Sequence, residues 1–411
     1  LGELSGLPPR VLLFAPECFP PAGAEAIVTA KLVLAVLEAG WTIDVICQAR
    51  AGQYYPAKTA GIWAPLRPVV HEIDPAKGGV PRKLHSINWV RQATALGHRL
   101  LKRQRHDVIL SRIMPQYGHL PALALSHWYH VPWVANWSDP LPRQKAPPPY
   151  GVGPQTALSR FMTWYCRAAA RQAAWHTFPC DRLRNYFTTW IPECGPKGSV
   201  IPHLALCRPV EEAMGQAKIF SLCHTGGLGL RKPDTFLEGV KLFLKKVPAR
   251  EWTEVRFIGP NEETLPELAR SLELQDIVHI EPRMSYEDSL SALAASAVSV
   301  VIEAPMTEGI FLPSKVTDIV QVGRPILAVS PVVGTLKDLL SSYGGGIAVD
   351  CTSPEAIAKG IESLFRSWQG GELDDSYGSD RLRQLFSDGT VLSAYREIFD
   401  RIQIHQDRAC R

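Results

Sequence analysis

Residues 11–47 confine the chain to a narrow set of folds. Val11-Leu-Leu-Phe14 is a short apolar run that stops at a Pro/Gly loop, residues 16–23. A helix-length stretch, 26–39, follows and closes at Gly40, and 41–47 reads as the next strand. Strand, loop, helix and strand in that order form a βαβ unit, because parallel strands need a crossover and a helix supplies it. The alternation returns as a strand at 107–111, a helix at 120–127 and a strand at 132–137. These strands are continuous rather than alternating in hydrophobicity, which predicts a parallel sheet covered on both faces.

The segment 145–155, with Pro147-Pro148-Pro149, is too proline-rich for helix or sheet. Residues 156–175 read as a helix with Arg160, Arg167 and Arg171 along one side and Phe161, Trp164, Tyr165, Ala168 and Trp175 over much of the rest. Broad apolar stripes on helices usually pack into a core, so packing on the sheet is the expectation. Lying along a membrane surface is the alternative. Residues 203–217 lack strand character, and a second series then begins. Its strands are expected at 219–224, 255–258, 277–280, 298–302 and 325–329, and its helices at 233–246, 265–272, 286–295, about 314–322 and 335–341. The fold class expected is α/β, with two doubly wound, Rossmann-like domains over 1–207 and 208–385. Residues 386–411 are expected as a helical end that crosses back to the first domain. A ligand cleft is expected at the carboxyl ends of both sets of strands.

Composition agrees with two cores: 411 residues are 46% hydrophobic and 20% charged. The charge is unevenly shared. Residues 1–205 carry 22 Lys+Arg against 11 Asp+Glu (+11), and 206–411 carry 22 against 29 (−7), which sums to the net +4. A basic first half suits an anionic partner, a phosphate-bearing acceptor or an acidic membrane surface, unless it is only solvated surface arginine. The nine cysteines form no CxxC and have no histidine at zinc-ligand spacing, so they read as free thiols in a reducing cytosol. No apolar run is long enough to span a bilayer, no signal peptide is expected, and no nucleic-acid-binding motif appears.

Two passages carry chemistry. Cys223-His-Thr-Gly-Gly-Leu-Gly-Leu-Arg-Lys-Pro-Asp234 is a glycine-rich strand-to-helix turn ending in Arg231 and Lys232. Such a turn admits a phosphate to backbone N–H groups, with the cations as charge-assisted donors. The dinucleotide pattern GxGxxG fails here, because its last glycine is absent. The second passage runs from Glu303 through Glu308 to Pro313-Ser-Lys315-Val-Thr-Asp318 and Gly323-Arg-Pro325. It places an ammonium and a carboxylate three residues apart at the start of a helix. There the carboxylate can accept ribose hydroxyls and the cation can face phosphate, or the two can form an ordinary i,i+3 ion pair.

Taken with Pro21-Ala-Gly23-Ala-Glu25, Ser111-Arg-Ile-Met-Pro115-Gln-Tyr-Gly-His119 and Pro132-Trp-Val-Ala-Asn-Trp-Ser-Asp139-Pro140, these passages resemble a glycosyltransferase of the GT-B fold, of the retaining family 4 type. The resemblance covers nearly the whole chain. It implies a nucleotide-sugar donor, UDP- or GDP-linked, as substrate, with no cofactor and no metal. The implied acceptor is the hydroxyl of a glycan or of a lipid-diphosphate-linked molecule. It implies that Gly23, Gly226 and Gly227 lie along the donor. Arg231, with Lys232 and Lys315 beside it, would neutralise the leaving diphosphate, Asp318 would hold the ribose, and His119 would stand near the sugar. The family's usual glutamate pair is separated by seven residues, whereas Glu308 and Asp318 are separated by nine, so Glu303 is the alternative to Glu308. Asp139 is expected to position the acceptor. The resemblance places the protein in the cytoplasm, peripheral to the inner face of the membrane. Two rivals share the architecture: a nucleotide-sugar 2-epimerase and a non-catalytic nucleotide-sugar-binding protein.

Overall fold

A computed structural model of the chain describes residues 8–21, 23–49, 60–151, 153–154, 156–206, 218–260 and 262–409, with side chains described through Ile402. The chain divides into two compact units, one of residues 1–146, 153–204 and 388–411, the other of 147–152 and 205–387. The domain boundary expected at 207/208 lies outside the described residues.

The first unit runs β1 (Arg10–Phe14), α1 (Ala24–Glu38), β2 (Thr42–Gln48), α2 (Ala60–Trp63), β3 (Val70–Ile73), α3 (His85–Arg103), β4 (Val108–Arg112), α4 (Leu120–Tyr129), β5 (Trp133–Asn136), α5 (Ala157–Gln172), β6 (Trp175–Phe178), α6 (Asp181–Thr188) and β7 (Gly198–Val200). Its seven strands form one parallel sheet in the order β3-β2-β1-β4-β5-β6-β7. The order reverses between β1 and β4, and crossovers there leave to opposite sides, opening a crevice at the carboxyl ends of the strands. β1, β4 and β5 are buried almost throughout, as their unbroken apolar runs require.

The second unit runs β8 (Phe220–Thr225), α7 (Asp234–Lys246), β9 (Thr253–Ile258), α8 (Leu265–Ser271), β10 (Val278–Glu281), α9 (Tyr286–Ala295), β11 (Val298–Ile302), α10 (Lys315–Val322), β12 (Ile326–Ser330), α11 (Thr335–Tyr343), β13 (Gly346–Asp350), α12 (Pro354–Gln369), α13 (Leu373–Tyr377) and α14 (Asp380–Phe386). Its parallel order is β10-β9-β8-β11-β12-β13, with the reversal between β8 and β11. On one side of this sheet Phe220, Phe243, Phe365 and Trp368 stack edge to edge, and α12 presses onto α7 where Gly239 stands. A Cβ at Gly239 would lie 2.5 Å from Ile357 Cγ2, so the two helices touch only because that side chain is missing. The last helix, α15 (Asp388–Ala409), is counted with the first unit, where Phe399 packs on Trp41 at 5.8 Å between ring centroids.

Several expectations change. The helix foreseen over 156–175 ends at Gln172, and Trp175 opens β6, paired with β5 and β7. The alanine-rich stretch at 168–174 hides that boundary, because alanine fits either element. Phe161 and Trp164, expected in the core, face solvent, while Tyr165, Cys166, Ala169 and Ala170 face the unit's interior. The helical end expected from residue 386 is preceded by a separate short helix, α14, and the chain turns at Ser387 between the two. The seven described cysteines are all buried. Among the described residues no helix is long and apolar enough to cross a membrane.

One polar cluster ties strands to a helix end in the first unit. Asp44 on β2 accepts from His71 Nε2 of β3 at 3.0 Å, from His106 Nε2 at 2.9 Å and from Gln104 at 2.6 Å just beyond α3. Burial raises the Asp44 pKa, but the two histidines outweigh it and hold the carboxyl well below its ordinary value. A depressed carboxylate pKa stabilises the fold above the unfolded-state pKa, and the stabilisation fades as pH falls below it. Asp44→Ala leaves the fully buried His106 ring without its acceptor and should cost roughly 1–3 kcal/mol. In urea melts at neutral pH the variant should unfold earlier, and the gap from wild type should close in the acid range. An equal gap at both pH values would show that the cluster contributes no charge-dependent stability.

Candidate functional site

In the second unit the site is built where β8 and β11 diverge. β8 delivers His224 and Thr225 to its carboxyl end, and the chain turns through Gly226, whose φ of +85° excludes most side chains. The Gly226 N–H donates to Ile258 O and the Leu228 N–H to Pro260 O. These two amides are therefore spent on the turn, which leaves the other N–H groups of the loop as the ones that could meet a phosphate. Gly226, Gly227 and Gly229 are nonetheless exposed backbone with no side chain to obstruct an approaching ligand. Arg231 is half-buried at the end of the turn and reaches back only weakly to Gly227 O, at 3.5 Å, so its guanidinium is largely available. Lys232 is exposed, and both cations border a surface hollow whose wall also holds Asp234, Glu262 and Glu267.

Lys315 opens α10 and points back at β8. Its Nζ donates to Thr225 O at 2.8 Å and meets His224 Nε2 at 3.1 Å. The His224 Nδ1 lies 3.1 Å from Val300 O, which can only accept, so the proton belongs on Nδ1 and the Nε2 lone pair receives the Lys315 ammonium. Burial, then Lys315, keeps His224 neutral by lowering its pKa well below the ordinary value. Burial first, and Arg231 second, push the Lys315 ammonium down to about 7. Asp318, one turn further along α10, accepts from Tyr286 Oη at 2.9 Å at the start of α9. The alternative of an i,i+3 ion pair is therefore not the arrangement present: lysine and aspartate serve different neighbours.

The two glutamates separate clearly. Glu303 is buried immediately after β11, with its Oε2 unpartnered, and burial raises its carboxyl to about 8 against the pull of Arg231. At neutral pH it is a carboxylic acid able to donate a proton. Glu308 is half-buried in the following loop, next to Gly309. The backbones of Gly309 and Gly334 approach so closely that a Cβ on Gly334 would meet Gly309 atoms at 3.1–3.2 Å, which pins the loop after β11 to the one after β12.

The first unit has its own polar centre at the β1/β4 reversal. Gly23 caps α1 in an extended conformation, and Glu25 in the first turn receives Arg112 Nε at 2.6 Å from the end of β4. Arg112 also reaches Ser138 Oγ at 3.3 Å, and Ser138 donates to Asn136 Oδ1 at 3.1 Å. Burial works against the Arg112 charge, but Glu25 more than compensates and raises its pKa. Asp139 follows this network, and burial together with the Glu25 charge lifts its carboxyl to about 7. His119, expected near the sugar, stands at the start of α4. It is fully buried, its Nδ1 is 2.7 Å from Ser111 Oγ, and Trp133 and Trp137 flank it edge-on at 5.5 and 4.6 Å. Burial drives its pKa well down, so it is a neutral histidine, and its Nε2 has no hydrogen-bond partner.

Sequence reading passed over His224 and Tyr286 as site residues, though both were in view, one in the glycine-rich passage and the other at a helix start. Their roles depend on partners 91 and 32 residues away. The glutamate–arginine pair of Glu25 and Arg112 was missed for the same reason, being 87 residues apart. The Lys315 value of about 7 fixes a sign: below it the ammonium is charged, above it neutral. Diphosphate affinity should weaken as pH rises through about 7, by up to about tenfold per pH unit. Lys315→Arg, charged throughout, should flatten the dependence. Calorimetric titrations from about pH 6 to about pH 9 decide, and a pH-independent wild type removes Lys315 from the phosphate site.

The family model described as "Glycosyl transferases group 1" matches residues 231–379, the stretch that contains Arg231, Lys232, Glu303, Glu308, Lys315 and Asp318. No curated protein matches the sequence. Among solved structures, a glycosyltransferase from Rickettsia africae ESF-5 superposes with a TM-score of 0.67 at 12% identity, covering 96% of this chain and 98% of that one. Sucrose-phosphate synthase from Thermosynechococcus elongatus gives 0.67 at 16%, covering 96% and 100%. Anabaena HepE, solved with UDP and glucose, gives 0.66 at 14%, covering 95% and 99%. At such identities the likeness establishes the fold. The chain is thus a protein of GT-B fold whose residues 231–379 match the family model of the glycosyl transferases group 1.

Proposed function

We propose that the protein is a retaining, metal-independent glycosyltransferase that moves a sugar from a UDP- or GDP-linked donor to a hydroxyl of a glycan or lipid-linked acceptor. The observation that carries this reading is the set of cations at the β8/β11 reversal. Lys315 is anchored on Thr225 and His224, and Arg231 is near enough to shift both Lys315 and Glu303. A departing nucleoside diphosphate gathers negative charge on its β-phosphate, and donors already fixed toward that charge lower the barrier without reorganising. This load is carried by side chains, so the reaction is proposed to need no divalent ion. Asp318, oriented by Tyr286, is placed to accept the ribose hydroxyls.

In front-side displacement the C1–O bond to the diphosphate breaks while the acceptor oxygen bonds to C1 on the same face. The leaving phosphate oxygen takes the acceptor proton, and no separate base is required. Glu303, held as a neutral acid beside the cations, is suited to donate a hydrogen bond to a sugar hydroxyl or phosphate oxygen. The first unit, with its basic excess and the half-buried Asp139, is proposed to serve the acceptor, while its Gly23 lies along the donor. The protein is proposed to work in the cytoplasm, at the inner face of the membrane.

Thermal melts against a panel of nucleoside diphosphates and their sugars, with and without added divalent metal, test the donor assignment, because selective binding raises the melting temperature by mass action. One base should stabilise, equally with and without metal. Arg231→Ala should retain the fold and lose roughly 10²–10³ in turnover. The anomeric configuration of the product, read by NMR, separates retention from inversion. Epimerised nucleotide sugar formed without any acceptor would favour the isomerase, and binding with no turnover would favour the non-catalytic protein.

A further inference from the structure

Helix α5 is built inside out. Its inward face is made of Ser159, Cys166, Ala169 and Ala170 with Tyr165 as the one large residue, whereas Leu158, Phe161 and Trp164 are 68%, 54% and 63% exposed. A surface helix ordinarily turns its large apolar side chains inward, and a contiguous exposed patch of them marks an interaction face. The patch is ordered. Thr156 and Ser159 close a reciprocal cap at the start of the helix, and the Phe161 and Trp164 rings lie 5.8 Å apart with only 31° between their planes.

The sequence that carries the helix is basic. Residues 140–180 contain Arg143, Lys145, Arg160, Arg167 and Arg171 and no aspartate or glutamate. The side chain of Arg160, between the exposed Leu158 and Phe161, has no hydrogen bond or ion pair among the described residues. Arg167 donates to the Trp190 carbonyl, and the ring of that same tryptophan carries Lys145 at 6.0 Å, so the 143–145 turn extends the basic zone beside the helix. Arg171, at the far end, is paired with a carboxylate, Glu193 at 3.2 Å, and the Arg167 charge also acts on Glu193.

We propose that this face of α5 docks on the surface of an anionic phospholipid bilayer, with Leu158, Phe161 and Trp164 entering the headgroup–acyl boundary and Arg160, Arg167 and Lys145 facing lipid phosphates. Aromatic and leucine side chains beside unpaired cations match both layers of that interface. A water-soluble acidic protein would satisfy the cations but would not require three bulky apolar groups held in solvent. The proposal rests on the glycosyltransferase reading only for its purpose, bringing the enzyme to a lipid-linked acceptor.

Vesicle flotation of the full chain, without donor or acceptor, tests it. The protein should float with vesicles of phosphatidylcholine and phosphatidylglycerol mixed in equal parts, not with phosphatidylcholine alone, and less as salt screens the cations. Phe161→Ser with Trp164→Ser should lower the bound fraction about tenfold or more, and Arg160→Glu about fivefold. Both variants should keep the wild-type melting temperature and its nucleotide-induced rise. No flotation with the anionic vesicles, or flotation unchanged in the double variant, overturns the proposal. So does a wild-type dimer that the double variant converts to monomer without any lipid binding, which would assign the face to a second copy. The donor panel is read without vesicles and the flotation without nucleotide, so failure of either reading is seen separately.

Discussion

Parallel strand pairing is the constraint on which the rest of the structure depends. A parallel strand cannot return to its neighbour by a tight turn, so each crosses over through a helix, and the handedness of that crossover fixes which face the helix covers. With the sheet orders reversing at β1/β4 and β8/β11, successive crossovers leave on opposite sides. The carboxyl ends at those two reversals are the places where backbone and side chains meet without a helix over them. Every polar cluster with unusual ionisation described above, apart from Asp44 and its histidines, follows from that geometry.

The two reversals are furnished differently. At β8/β11 no carboxylate among the described residues is within ion-pair distance of Arg231, Lys232 or Lys315: Lys315 is held by a carbonyl and a neutral histidine, and Glu303 is itself held protonated. An anion arriving there meets charge that is not already neutralised. At β1/β4 the arginine is consumed by Glu25 and shared with Ser138, a buried pair whose attraction offsets its own desolvation. The second reversal is therefore suited to bind a strongly anionic group. The first is suited to hold a loop in place and to present a carboxyl, Asp139, near its protonation midpoint at neutral pH.

The legible parts of the fold were those written in contiguous residues. The strands at 298–302 and the helix at 286–295 fall where the apolar runs and the Ser285 cap place them, because burial on both faces leaves no polar position to blur the ends. Short edge strands were not legible: Val70–Ile73 and Gly198–Val200 carry ordinary, half-exposed residues and are strands because a neighbour pairs with them. The same holds for β13, which follows Gly344 and Gly345 and opens at Gly346, where a Cβ would overlap the Ile326 backbone. Residues 156–175 were misjudged for a further reason. A helical period reports that one face is apolar, and it cannot report whether that face looks inward.

The amino-acid sequence by itself determined the class of fold, the glycine-rich turn, the presence of Arg231, Lys232, Lys315 and Asp318 at strand-to-helix junctions, and the basic bias of the first half. Each of these is a property of residue type and local order. The tertiary structure decided the state of those groups. It set a neutral His224 against Lys315, left Glu303 protonated and fixed Tyr286 on Asp318. It also enclosed His119 between two tryptophans and turned Phe161 and Trp164 outward. These outcomes depend on dielectric surroundings and on partners tens of residues away, and charge and burial act through space rather than along the chain.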